Sequence, residues 1–163
     1  MSQTVGLYFF AEDYIEFLRH LKENCSNEIQ EVELENSRYR EELLAKGQHV
    51  PIGRIGEVEF FLHYSTFAEA KEKWERRCKR INWDSLIVKN AEMNDCTAEI
   101  VRQFEELPFK NKFIYTAQDY GVQSHVIFRE YLGKDQVKDD TTLFNKYIDL
   151  IKLVKGEPFK RKQ

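Results

Sequence analysis

Val58-Glu59-Phe60-Phe61-Leu62-His63-Tyr64 is an almost unbroken apolar run. Such a run suits a central strand covered on both faces, because a strand with one wet face would alternate apolar and polar residues. Directly behind it, Thr66-Phe67-Ala68-Glu69 has capping-box spacing. A hydroxyl and a carboxylate three residues apart can each satisfy an orphan backbone N–H. The helix opened there carries Phe67, Ala70, Trp74, Cys78 and Ile81 on one apolar seam. Two further apolar runs follow, Ser85-Leu86-Ile87-Val88-Lys89 and Lys112-Phe113-Ile114-Tyr115-Thr116. Between them Asn94-Asp95-Cys96-Thr97 starts a helix that turns Ile100, Val101, Phe104 and Leu107 inward and stops at Pro108. Strand and helix in alternation, with short connections, predict an α/β fold. Its sheet is expected to be parallel or mostly parallel, right-handed in its crossovers and flanked by helices in a three-layer arrangement.

Upstream, residues 5–10 read as a buried strand. Residues 12–23 carry Tyr14, Phe17, Leu18 and Leu21 at helical spacing. Residues 29–34 read as a strand and 37–46 as a short helix, capped by Asn36 and ended by Gly47. Pro51-Ile52-Gly53-Arg54-Ile55-Gly56 reads as a loop, by its two glycines and one proline. Downstream, residues 124–132 alternate well enough for one more strand towards an edge. Residues 141–155 close the chain as a helix, with Leu143, Tyr147, Ile148, Ile151 and Val154 inward and Gly156 just past its end. No repeat and no linker interrupts this order, so residues 1–163 are expected to form a single α/β domain.

A net charge of −3 argues against phosphate-backbone binding, so nucleic acid is not the expected partner. No apolar run approaches the roughly 20 residues that span a bilayer, so no membrane insertion is expected. The opening residues lack a basic segment ahead of the apolar run and do not read as a secretory signal. Cys25, Cys78 and Cys96 are odd in number, widely spaced and without C-x-x-C, which disfavours a disulfide framework or a zinc site and suits a cytoplasmic setting.

No phosphate loop, dinucleotide fingerprint or nucleophile elbow is present. Gly53-Arg54-Ile55-Gly56 precedes a strand and so lacks the strand-to-helix context of a phosphate cradle. The candidates are therefore residues at strand ends, where ligands of parallel sheets sit. His63 is placed to act as a general base, with Asp119 or Asp95 as its partner. The plainer reading of His63 is a ring that ties down a loop, of Asp95 a helix cap, and of Asp119 a turn residue. Tyr64, Asn90 and Thr116 would line the same end of the sheet. Arg54 and Arg77 could fork onto an anion, against the plainer reading of a solvated charged face. In the helix over residues 69–80, Lys71, Arg77 and Arg80 lack the Glu four residues before them that Lys73, Arg76 and Lys79 have. Trp83 is expected to pack over the amino edge of its sheet, away from the cleft. Cys96, at a predicted helix start, could be an activated thiol but reads more simply as a cap or core residue.

Several of these stretches together resemble a known family. They are residues 51–56, Phe61-Leu62-His63-Tyr64, Glu69-Ala70-Lys71-Glu72-Lys73-Trp74-Glu75-Arg76-Arg77, Arg80-Ile81-Asn82-Trp83-Asp84, Cys96-Thr97 and Leu107-Pro108-Phe109-Lys110-Asn111-Lys112. The chain, over residues 5–131, resembles an uncharacterised bacterial family catalogued as a domain of unknown function and often labelled exopolysaccharide or capsular polysaccharide biosynthesis protein. The resemblance implies an α/β protein working among enzymes of surface polysaccharide assembly. Family members usually carry a further strand and a Cys-x-Gly-Gly-like motif ahead of the segment that begins at Val5 in this sequence. Their absence from this sequence implies an open edge at residues 5–10 and a tendency to homo-oligomerise.

The expectation is a transferase-like protein of exopolysaccharide biosynthesis. Its ligand would be a small molecule such as a sugar nucleotide or phosphorylated sugar, with His63 as base and Arg54 as anion contact. The alternative is a non-catalytic interaction or ligand-binding module of the same pathway.

Overall fold

The computed structural model describes residues 7–155 and 157, apart from the side chain of Leu150. The chain divides into two compact units, Met1–Ile81 and Asn82–Gln163.

The first unit is built on a four-stranded sheet in the order β1-β4-β3-β2: β1 (Leu7–Tyr8), β4 (Val58–Leu62), β3 (Ile52–Ile55) and β2 (Gln30–Val32). All three pairings are antiparallel. The apolar run at Val58 is thus a central strand buried at every position, as its composition demands. It does not, however, join the two later strands in a parallel sheet. Burial on both faces reflects what covers a strand and carries no information on its direction.

The covers are visible in the rings. Phe60 turns towards Phe9 (5.5 Å) and stacks on Trp74 at 5.4 Å. Phe61, on the opposite face, meets Tyr8, Phe10 and Tyr39. The first face belongs to α1 (Ala11–Arg19) and α4 (Phe67–Cys78). The second is closed by a cluster of Phe10, Val32, Leu43, Ile52 and Phe61, in which Leu43 comes from α3 (Arg40–Ala45).

The expected loop at residues 51–56 is instead strand β3 and half of a hairpin. Ile55 pairs with Val58, so only Gly56 and Glu57 form the turn. Gly56, at φ +57°, supplies the left-handed position that such a turn needs. Gly53 faces Phe60 across the ladder, and a Cβ added there would meet the Phe60 ring at 2.6 Å. These glycines serve a turn and a close approach within a sheet, which is why they mimicked a loop.

The helix expected over residues 12–23 breaks at His20 into α1 and the short α2 (Leu21–Asn24), with Phe17 and Leu18 buried as the periodicity requires. α3 is not capped by Asn36. Its N-terminal position is Tyr39, and Gly47 (φ +61°) lies just past its end. α4 keeps its expected cap, the Thr66 side chain accepting from the Glu69 N–H. Its seam of Ala70, Trp74 and Cys78 is buried. Lys71, which has no Glu four residues before it, pairs with Glu28. Among the described residues, strand β1 has β4 as its one neighbour in the sheet and so lies at an edge. Val5 and Gly6 of the expected first strand lie outside the described residues.

The second unit is the parallel α/β portion. Strands β5 (Ile87–Ala91), β6 (Asn111–Thr116) and β7 (His125–Ile127) pair in parallel in that order, with β7 at the expected edge. Helix α5 (Ala98–Glu106) links the first two, and residues 117–124 link the second two without a helix. Successive crossovers of one hand that advance in one direction cover the same face of a sheet. The opposite face presents Ala91, Phe113, Tyr115, Val126 and Phe128, buried against Val137, Ile148 and Leu153. The molecule is therefore a mixed α/β protein with one antiparallel and one parallel sheet.

The closing helix is also divided, into α6 (Phe144–Tyr147) and α7 (Leu150–Val154), because Ile148 is extended and Asp149 caps α7 through the Lys152 N–H. Ile148 is buried, whereas Ile151 and Val154 are exposed. Gly156 lies outside the described residues. Trp83, expected to pack, is 39 % exposed in a 3₁₀ turn at Trp83–Ser85.

α6 is held by Glu130, whose carboxylate accepts from Lys146 (2.8 Å) and from the Tyr147 hydroxyl (2.5 Å). Those bonds lower the Glu130 pKa from 4.5 to about 2. A depressed folded-state value stabilises the fold above the ordinary carboxylate range, and that contribution is lost as pH falls towards 2. Carboxyl NMR titration is expected to show Glu130 still ionised at pH 3, and Lys146→Met to return it towards 4.5. A wild-type midpoint at the ordinary value would refute the contact.

Candidate functional site

The residues singled out at strand ends fall into both units. Arg54, His63, Tyr64 and Arg77 belong to the first, and Asn90, Asp95, Thr116 and Asp119 to the second.

In the first unit, both arginines have structural partners. Arg54 Nη2 donates to Glu59 Oε1 (2.6 Å) and to the Asn36 carbonyl (3.1 Å). Glu59 is only 1 % exposed, and its other oxygen accepts from the Ser37 hydroxyl at 2.6 Å. Its backbone N–H donates to Asp13 Oδ2 at 2.9 Å, and Asp13 pairs with Arg38 through its other oxygen. Two buried carboxylates and two arginines thus lock α1, the segment before α3 and the β3–β4 hairpin together. Burial of such charges is tolerable because each is paired and hydrogen-bonded. Arg77 Nη1 donates to the Tyr64 hydroxyl at 2.8 Å, and the guanidinium carbon of Arg77 lies 6.0 Å from that ring's centroid. His63, just beyond β4, is exposed, with its ring 5.3 Å from that of Tyr8.

In the second unit, strand register gathers polar groups. Asn90 pairs with Ile114, which pairs with His125, and Thr116 pairs with Ile127. Side chains alternate along a strand, so Asn90, Thr116 and His125 share the face opposite the apolar cluster. That is the face the crossovers cover. Asn90 is 8 % exposed and Thr116 fully buried. Asn90 Oδ1 accepts from the Ala91 N–H at 2.8 Å. Asn90 Nδ2 and Thr116 Oγ1 are buried without a hydrogen-bond partner among the described residues. A buried polar group left unpaired costs about 1–3 kcal/mol. Two of them on adjacent strands, at the carboxyl end of a parallel sheet, depart from the rule that such groups are satisfied.

The connections around this face are pinned. Glu92, buried directly after β5, accepts from the Ala117 N–H at 2.6 Å and from the Tyr120 hydroxyl. Burial, and then that bond to Glu92, push the Tyr120 hydroxyl up to about 12. Asp119 lies with Oδ1 3.4 Å from Nδ1 of His125 and accepts from the Gly121 N–H at 2.8 Å. Asp119 was expected to serve His63; its neighbour in its own unit is His125, which showed no pattern in the sequence. Only the β6–β7 register brings that pair together.

Asp95 is exposed and does not cap α5, a task performed by Thr97, whose side chain accepts from the Ile100 N–H. Asn94 and Asp95 adopt φ of 53° and 64° in succession, a conformation that Asn and Asp tolerate better than most residues. The Cys96 thiol is pushed up to about 12 by burial and then by the Glu92 charge, the opposite of an activated nucleophile. Among the described residues no group of three or more His, Cys, Asp or Glu side chains is placed to hold a metal ion. None of their helices is long and apolar enough to cross a membrane.

Fold and site define a mixed α/β protein whose parallel unit carries a buried polar face at its strand ends. A family model described as Domain of unknown function (DUF1919) matches residues 1–155, and the chain belongs to that family. It is similar to an uncharacterized protein of Haemophilus influenzae, 28 % identical over 140 residues that make up 85 % of this chain and 62 % of that protein. The chain therefore spans less than two thirds of that relative's length. Both matches agree with the resemblance noted from the sequence, to a bacterial family of unknown function.

Proposed function

We propose that the protein binds a small, hydroxyl-rich ligand at the carboxyl ends of β5 and β6, as a transferase-like component of exopolysaccharide assembly in the cytoplasm. The observation that carries the site is the pair of buried, unpartnered groups Asn90 Nδ2 and Thr116 Oγ1 on one face of adjacent strands. The ligand class is a sugar nucleotide or phosphorylated sugar. Asn90 and Thr116 offer hydrogen bonds to the hydroxyls of its sugar, and Asp119 beside His125 offers an acceptor and a proton-handling ring. The polysaccharide setting rests on the family resemblance of the sequence. His63, in the first unit, is a separate candidate, an exposed imidazole just beyond β4. Arg54 and Arg77, also in the first unit, carry less weight as anion contacts, since Glu59 and Tyr64 engage them. That engagement favours a second reading, a non-catalytic ligand-binding or interaction module of the same pathway.

The test is a melting-temperature screen across sugar nucleotides and sugar phosphates, followed by titration of the best ligand. At least one is expected to raise the melting temperature. Thr116→Val, which keeps the shape of the side chain, is expected to weaken that ligand about ten-fold, one hydrogen bond's worth. A flat screen, or unchanged affinity in Thr116→Val, would sink the assignment. Turnover of the bound sugar nucleotide separates the two readings. Sedimentation of the same sample reads whether the open edge at β1 supports a homo-oligomer.

A further inference from the structure

Thr116 is 0 % exposed and Asn90 8 %, so a ligand touches Thr116 Oγ1 and Asn90 Nδ2 only if a neighbouring segment moves. Strand alternation shows which segment lies over them. The Glu92 N–H donates to the Tyr115 carbonyl at 2.8 Å, which carries the β5–β6 ladder one residue further. Glu92 stands two positions after Asn90 and therefore on the same face, with Thr116 and His125. Residues 117–121 leave β6 and turn back over that face. The Ala117 N–H and the Tyr120 hydroxyl both donate to the Glu92 carboxylate, and Asp119 Oδ1 lies 3.4 Å from Nδ1 of His125. These residues form a strap across the carboxyl end of the buried face.

Post and strap differ in how firmly they are held. Glu92 is 2 % exposed, and besides its own N–H bond its carbonyl accepts from the Val137 N–H at 2.8 Å. In the strap, Gln118, Asp119 and Gly121 are exposed and Tyr120 is half-buried. Exposed backbone with little apolar burial opens locally while the surrounding sheet stays folded.

We propose that residues 118–121 are a gate over the Asn90–Thr116 site, latched by the Tyr120 hydroxyl on the Glu92 carboxylate, and that this gate opens to admit the ligand while β5 and β6 stay folded. The gate rests on the reading above, that a ligand reaches Asn90 and Thr116, and adds how it enters. Tyr120 acts through the open fraction, by which the apparent affinity of the ligand is reduced. Closing returns Asp119 to His125, so that pair is assembled only under a shut gate.

Tyr120→Phe removes the latch and keeps the ring. In the full chain without ligand, amides of residues 118–121 are expected to exchange hydrogen about ten-fold faster in Tyr120→Phe, the worth of one bond to a charged group, with amides of β5 and β6 unchanged. Accessibility of the site itself is read in Thr116→Cys, treated with iodoacetamide and digested with trypsin. The peptide of residues 113–129 holds none of Cys25, Cys78 and Cys96, so its alkylation reports position 116 alone. Adding Tyr120→Phe is expected to speed that alkylation about ten-fold. Unchanged exchange in the strap, equal acceleration throughout the parallel sheet, or an unchanged alkylation rate would each overturn the gate. Neither measurement uses a sugar. A flat sugar screen beside a strap that opens overturns the ligand reading alone, and a bound sugar beside a strap unmoved by Tyr120→Phe overturns the gate alone.

Discussion

Trp74→Ala is expected to lower the unfolding free energy by about 3–5 kcal/mol, the range for truncating a large aromatic side chain in a packed core. The indole is 2 % exposed, stacked on Phe60 at 5.4 Å and met edge-on by Phe17 at 5.7 Å. It joins the sheet to α1 and α4, and neither neighbouring ring can shift far to fill the space, since Phe60 and Phe17 are themselves buried. The Trp74 Nε1–H is buried without a hydrogen-bond partner among the described residues. Trp74→Phe therefore removes an unsatisfied donor while keeping a ring, and is expected to cost about 1 kcal/mol or less. Urea denaturation of the two variants checks this directly. A Trp74→Ala protein as stable as the wild type would mean that the α4 seam does not pack as described.

Asp13→Ala is expected to cost about 2–3 kcal/mol. Most of that comes from the Glu59 N–H, which would be left buried without its acceptor, a loss of about 1–3 kcal/mol. The pairing with Arg38 adds little, because the Arg38 side chain is 45 % exposed and such pairs contribute less than about 1 kcal/mol. Asp13→Asn keeps one oxygen for the Glu59 N–H and is expected to retain at least half of the stability lost in Asp13→Ala. The ordering of the two variants in denaturant is the discriminating result. If Asn and Ala are equally harmful, the Asp13 charge matters more than its bond to the Glu59 N–H.

The sequence was informative where the deciding interaction was local. Thr66 announced the start of α4 through a side chain that acts three residues on, and α5 was expected from residues 94–97, though with Asp95 in the capping role that Thr97 performs. The apolar runs announced β4, β5 and β6. What failed was pairing. The Gly56-Glu57 turn carried the hairpin signal, but Pro51 and Gly53 made the whole stretch read as loop. A run buried on both faces was then assigned to the parallel sheet because it looked like the strands that do form one.

The same limit governs the site. Asn90, Thr116 and Asp119 were reachable because strand ends can be read from a run's length. His125 was not, since its place beside Asp119 depends on the β6–β7 register. Asp13, Glu59 and Glu92 were not singled out by the sequence reading. Their donors include an arginine, a serine and backbone N–H groups, most of them far along the chain.

The close approach of Gly53 to the Phe60 ring constrains the routes by which this sequence can drift. A methyl at position 53 would stand 2.6 Å from a ring atom, so the first mutational step there carries a penalty unless Phe60 has already given way. Phe60 in turn cannot shrink alone without abandoning its stacking on Trp74. Positions 53, 60 and 74 therefore tend to change jointly or not at all. Descendants that keep the hairpin are expected to inherit the three as a block, whatever happens to the charged residues around them.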